Sequence, residues 1–326
     1  MSCAINYEGE LNEKTGMAMG GLGTGTLTLD HAGRFKEIRV QNNWHGNTYK
    51  WKKTNFLSIF VAPSGNPSAG KMLQLESGGN LPCVEALTYS GEFPFTRITY
   101  QDKELPGELS LEAFSPFVPH DAEASSYPLV FFELKLKNTY SQKISVAAAF
   151  SWQNDIALEP WERGLRPQGN YNELLQGDYP GVLMRTLAPN LEKAEYCLCA
   201  IPSNGVKYRC VADWWQLKNM QCEPDFDEGR NGAEFKYLYD EDGALSDWRT
   251  FLETGNLPKQ RTSYDGLGKY SYHCPVGAVS GQTELNPGEE RQIKFALIWF
   301  FPGHYDCTRT FIGRISAQPK HPCIFS

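Results

Sequence analysis

The sequence predicts a mainly β protein, a large antiparallel β-sandwich with a few short helices. Period-two alternation of apolar and polar residues dominates the greasy segments, and clusters of Gly, Pro, Asn and Asp separate those segments at short intervals. Helical periodicity is scarce and clearest in one short stretch. Many strands with frequent turns bury their apolar faces best as packed sheets.

Glycines crowd one early stretch: "GMAMGGLGTGTLTLDHAGRF" holds Gly16, Gly20, Gly21, Gly23, Gly25 and Gly33. A dinucleotide loop needs a strand before its glycines and a helix after them, because the helix N-terminus holds the pyrophosphate. Here "TLTL" reads as a strand, "DHAGR" as a turn and "RFKEIRV" as the returning strand. Gly20, Gly21, Gly23 and Gly25 are therefore read as structural, a bend leading into a hairpin. Further on, "YPLVFFELKLKN" places Val130, Phe132, Leu134 and Leu136 inward and Glu133, Lys135 and Lys137 outward. "KISVAAAFSW" puts Ile144, Val146, Ala148, Phe150 and Trp152 on one face, and the short link "NTYSQ" suggests that the two strands form a hairpin. "NPGEERQIKFALIWFF" pairs a turn at Asn286–Gly288 with inward Ile293, Phe295, Leu297, Trp299 and Phe301. The helix candidate is "GALSDWRTFLETG", with Leu245, Trp248, Phe251 and Leu252 on one face and Gly255 at its end.

Of the 326 residues, 41% are hydrophobic and 21% charged, which suits a packed core. A formal net charge of -7 argues against nucleic acid or an anionic membrane surface as partner. No basic leader with an apolar run is legible, and no apolar segment approaches the roughly 20 residues of a membrane helix. By default the sequence places the chain in the cytoplasm. Nine cysteines without a CxxC pair read as reduced core thiols. The sequence calls for no metal and no cofactor. A weak subdivision falls near residue 180, where the strand-rich first half gives way to a more mixed pattern.

Candidate sites stand beside plainer readings. "GNPSAGKM" matches the Walker spacing, yet Met72 replaces the required hydroxyl and "MLQLES" continues as a strand, so a loop between strands is expected. Cys197 and Cys199 share a strand face and lack two further zinc ligands, so buried side chains are expected. His120 and Asp121, in the Pro-rich "SPFVPHDAEASS", are read either as an acid–base or sugar-contacting pair or as a hydrogen-bonded corner. A glycosidase needs two carboxyl groups about 5 to 10 Å apart. Glu108 with Glu112, and Asp155 with Glu159 after Trp152 and Asn154, are near pairs that nothing in the sequence marks as special. The adjacent Trp214 and Trp215 suit sugar stacking or a core.

From Tyr89 to Asn154, above all in "LSLEAFSPFVPHDAEASSYPLVFFELKLKN", the sequence resembles the N-terminal domain of glycoside hydrolase family 116, the family of the non-lysosomal glucosylceramidase or bile acid β-glucosidase. The glycine-rich opening is similar, and weaker likeness runs through "YPGVLM", "DWRTFLETGNL" and "PGEERQIKFALIWFFPGHY". The resemblance implies a large antiparallel β-sandwich, residues 1–306, followed by a divergent tail, 307–326. It also implies a partner: an (α/α) toroid domain or chain that carries the family's catalytic Glu and Asp, neither of whose motifs matches here. The expected role is an accessory domain that braces an active site acting on a glucoside or glycolipid. His120, Asp121, Trp152, Asn154 and Asp155 are its candidate interface or sugar contacts. A free-standing carbohydrate-binding module and an interaction protein that uses the domain interface are the alternatives.

Overall fold

A computed structural model describes residues 5–8, 16–40, 54–77, 81–105, 108–156, 170–187, 193–215, 223–226, 233–236, 244–258, 275–305 and 311–314. The protein is mainly β, as expected, and two antiparallel sheets face one another. The larger runs, edge to edge, through Ile5–Glu8, Ala86–Glu92, Phe95–Gln101, Glu108–Phe114, Leu129–Lys137, Glu290–Phe300, Glu195–Ile201, Gly181–Thr186 and Asn170–Leu175. The smaller runs through Lys207–Trp215, Val276–Leu285, Ile144–Gln153, Phe56–Pro63 and Ala69–Met72.

Alternation explains which side chains fill the space between the sheets. Val130, Phe132, Leu134 and Leu136 from one sheet meet Ile144, Val146, Ala148, Phe150 and Trp152 from the other in a single core. Aromatic rings dominate its centre: Phe35 stacks on Phe150 at 5.4 Å, and Phe132 meets Phe150 edge-on at 4.9 Å.

The expected hairpin of 129–137 with 144–153 does not form. Leu129–Lys137 pairs with Glu108–Phe114 and Glu290–Phe300, whereas Ile144–Gln153 pairs with Val276–Leu285 and Phe56–Pro63. The short link carries the chain from one sheet to the other. Beside it the turn at 286–289 does the same, because Lys137 pairs with Glu290 and Ile144 with Leu285. Asn138 clips the two crossings together. Its amide Nδ2 donates to the Gln142 and Leu285 carbonyls at 2.8 and 3.0 Å, its Oδ1 accepts from Tyr140 N–H, and its backbone exchanges bonds with Glu289 and Gly288.

A third layer covers the smaller sheet. The helix Ala244–Thr254 buries Trp248, Phe251 and Leu252 against Phe56, Phe60, Ala147 and Ala149, so both faces of Ile144–Gln153 are buried. Gly255 ends it at φ 70°, its N–H bonding the Phe251 carbonyl at 2.7 Å, as the sequence predicts. The Leu245 side chain and most of the 307–326 tail lie outside the described residues.

Candidate functional site: the glycine-rich corner

The glycine-rich opening forms the predicted bend and hairpin. Thr26–Leu29 returns as Phe35–Arg39 through a turn organised by Asp30, whose Oδ1 accepts from the Ala32 and Arg34 N–H groups, both at 2.9 Å. Its Oδ2 accepts from Arg34 Nε at 2.8 Å, and Arg34 also pairs with Glu76. Upstream, Leu22 N–H bonds the Ser125 carbonyl at 2.8 Å. This contact brings the backbone of Gly21 so near Ser126 and Tyr127 that an added Cβ would stand 2.3 Å from the Tyr127 carbonyl oxygen. Glycine is needed there because the chain touches chain.

The segment that Leu22 touches is the Pro-rich corner. Asp121 caps the short helix Ala122–Ser125 by accepting from Ala124 N–H at 2.9 Å, and Ser125 Oγ bonds both the N–H and the carbonyl of Val118. His120 sits at φ 68°, exposed, between them. Leu22, Phe93, Phe117 and Val118, on three neighbouring loops, are each about half exposed, and the Phe93 and Phe117 rings meet edge-on at 5.0 Å. The cleft among Gly20, Leu22, Phe93, Pro94, Pro116 and Phe117 encloses about 10 Å³, room for about one water. Among the described residues the corner therefore offers an exposed apolar surface, and this cleft is too small for a sugar ring.

The other candidate residues lie elsewhere. Trp152 is a core side chain. Asn154, wholly buried, donates through Nδ2 to the Tyr171 and Arg185 carbonyls and to Asn172 Oδ1, tying Ile144–Gln153 to the edge hairpin of the larger sheet. Asp155 is buried beside it. Glu108 and Glu112 share the outer face of their strand and pair with Lys137 and Arg97. Glu159 and the side chains of Trp214 and Trp215 lie outside the described residues.

In the Walker-like segment, Ala69–Met72 is a strand and Lys71 pairs with Glu104 at 2.5 Å and Asp102 at 3.4 Å. Burial opposes the Lys71 charge, but Glu104 and Asp102 outweigh it and raise the pKa. The ammonium that would meet a phosphate is thus committed to carboxylates. Cys197 and Cys199 are buried free thiols on the outward side of the larger sheet. The hydrogen bond that the Cys197 thiol makes to Cys199 and then burial push the Cys197 pKa far up, while burial first and Cys199 second push Cys210 up to about 12. Among the described residues no group of three His, Cys, Asp or Glu is placed to hold a metal ion, and no helix is long and apolar enough to cross a membrane.

The exposed aromatic pair at the corner went unnoticed in the sequence. Its signal was the proline beside each ring, "FPF" and "SPFVP", which marks an aromatic side chain held on a turn.

The architecture is that of a β-sandwich domain with one helix-covered sheet and an apolar corner. Residues 16–311 match the family model described as beta-glucosidase 2, glycosyl-hydrolase family 116 N-term, and the chain belongs to that family. Among solved structures, the chain is similar to a putative kojibiose phosphorylase from the human microbiome, with 8% identity and a TM-score of 0.33 over 91% of this chain and 25% of that one. It is also similar to a polysaccharide lyase, with 8% identity and a TM-score of 0.36 over 87% of this chain and 32% of the other. The chain thus spans about a quarter and a third of the lengths of these two proteins.

Proposed function

We propose that this domain serves a family 116 β-glycosidase as its bracing partner, docking a catalytic domain against the glycine-rich corner and shaping the entrance to its active site. The observation that carries the reading is the set of large apolar side chains, Leu22, Phe93, Phe117 and Val118, left half exposed on loops that are otherwise tightly hydrogen-bonded. Rigid loops bearing exposed apolar groups suit an interface, since little ordering entropy is lost on docking. His120 and Asp121 lie on the same corner, and in this reading they border the partner's sugar cleft. The family description, an N-terminal part of a β-glucosidase, supports a catalytic partner and a β-glucoside as the substrate class of this reading.

The test uses the full chain and a separately produced catalytic domain of a family 116 glycosidase. Calorimetry is expected to show binding that weakens at least about tenfold for Phe93→Asp/Phe117→Asp, since both are solvent-facing and their replacement leaves the melting temperature nearly unchanged. Absence of binding by the unaltered chain would sink the proposal. So would hydrolysis of an aryl β-glucoside by this chain alone that disappears when its own carboxylates are replaced.

A further inference from the structure

The outer face of the larger sheet is divided into stripes. One row of registered neighbours crosses seven strands as Phe95, Phe114, Phe131, Ala296, Cys199, Gly181 and Leu175, every one uncharged. The row beside it, two residues along each strand, reads Leu129, Ile298, Cys197 and Leu183. On one side this band is bounded by Arg97, Glu112, Glu133 and Lys294, again direct neighbours, with Arg97–Glu112 at 2.6 Å and Lys294–Glu133 at 3.0 Å. On the other it is bounded by the registered neighbours Glu195 and Arg185, while Glu173, the partner of Leu183, closes the second row; Arg185 lies 2.8 Å from each glutamate.

A solvated sheet face needs no such band; in a two-layer sandwich the outward positions are ordinarily polar. Phe131, Leu175, Leu183, Ile201 and Ile298 pack around buried Cys197, Cys199 and Ala296 yet stay partly exposed themselves. The charged borders are about 20 Å apart, three steps of about 7 Å along the strands; across the strands the first row is about 29 Å long and the second about 14 Å. An α-helix about 19 residues long matches the length of the first row, and its thickness of about 10 to 12 Å fits between the charged borders. The small side chains Ala296, Cys199 and Gly181 form a low floor, and the Phe95, Phe114 and Phe131 rings, stepped 5.4 and 5.5 Å apart, form a raised end. That raised end meets the glycine-rich corner, because Phe95 and Phe114 lead directly into the loops that carry Phe93 and Phe117.

We infer that this band seats an amphipathic α-helix of the catalytic domain, with the helix's uncharged face on the two apolar rows and a basic flank beside Glu173 and Glu195. The inference rests on the docking reading above and extends it from the corner across the sheet. Continuity with the corner selects the same partner, and the border of two glutamates around one arginine selects the helix's charge.

The experiment is the same titration of the full chain with a family 116 catalytic domain, using band variants. Leu183→Glu/Ile298→Glu is expected to weaken binding at least about tenfold. Glu173→Gln, an exposed change that keeps the fold, is expected to weaken it a few-fold and to reduce its dependence on salt. It decides the matter should the double variant not fold. If Phe93→Asp/Phe117→Asp weakens binding and the band variants do not, the band is no seat and the corner reading stands. If the unaltered chain does not bind, both fall. If the chain alone forms dimers in sedimentation equilibrium that Leu183→Glu/Ile298→Glu abolishes, a second copy occupies the band and the inference is overturned.

Discussion

The indole Nε1 of Trp299 donates to the carbonyl oxygen of Thr24 at 2.7 Å. A core residue near the end of the Glu290–Phe300 strand thereby holds the glycine-rich turn against the sandwich. Met17 N–H, bonded to the Tyr89 hydroxyl at 2.5 Å, holds the turn's other side. The turn is fastened from within, and its outward apolar residues are presented on a stiff frame.

Two glycines of that turn separate close approach from backbone conformation. Gly21→Ala places a Cβ 2.3 Å from a main-chain oxygen and forces backbone to move, for about 2 to 3 kcal/mol. Gly23, at φ 74° with nothing within 4 Å of the added atom, loses only the left-handed preference, about 1 to 2 kcal/mol. Urea unfolding of the two variants is expected to rank Gly21→Ala as the more damaging. The reverse order would mean that the contact with Tyr127 is not maintained in solution.

Asn138→Ala removes the side chain that bridges the two sheet crossings. It leaves the buried Leu285 carbonyl without this donor and deletes bonds to Gln142 and Tyr140, an expected loss of about 3 kcal/mol in the unfolding free energy. A loss below about 1 kcal/mol by denaturant titration would show that the crossings hold without it.

Acid is expected to destabilise the domain below about pH 4.5. The carboxyl of Glu104 lies below its ordinary 4.5 through its hydrogen bond to Lys71, that of Glu284 through Lys143, and that of Glu289 first through the Asn286 N–H. A folded-state pKa below the unfolded value gives stability that is present above the unfolded value and lost as pH falls through the folded one. Lys71 works in the opposite direction: its raised pKa gives stability present below 10.5 and lost as pH rises through the folded value. Urea melts from about pH 7 to about pH 3 check the acid limb, and Lys71→Met should flatten the part owed to Glu104. An unfolding free energy that stays level through that range would contradict the assignment.

The fold is legible in the sequence where the physics is local. Alternation along 129–137, 144–153 and 290–300 named the core side chains correctly, and Gly255 marked the helix end. The link 138–143 is not legible in this way. A short polar connection serves a hairpin and a sheet crossing equally well, and the difference lies in Asn138 reaching Leu285, 147 residues away. Asn154, offered as a sugar contact, is buried for the same kind of reason: its partners Tyr171, Asn172 and Arg185 are brought to it only by the packing of the two sheets.

By itself, then, the sequence determined that this is a mainly β domain, which side of each strand is greasy, where the chain bends on glycine, and the family it resembles. Those properties depend on residues adjacent in the chain, whose spacing is covalently set. Tertiary structure alone decided which strands are neighbours. It therefore decided that Leu22, Phe93 and Phe117 share one exposed corner, and that Phe95, Phe114, Phe131, Ala296 and Cys199 align in one row. A period of two assigns each side chain a face but no partner; register between distant strands supplies the partner, and the surfaces proposed for docking are built from register.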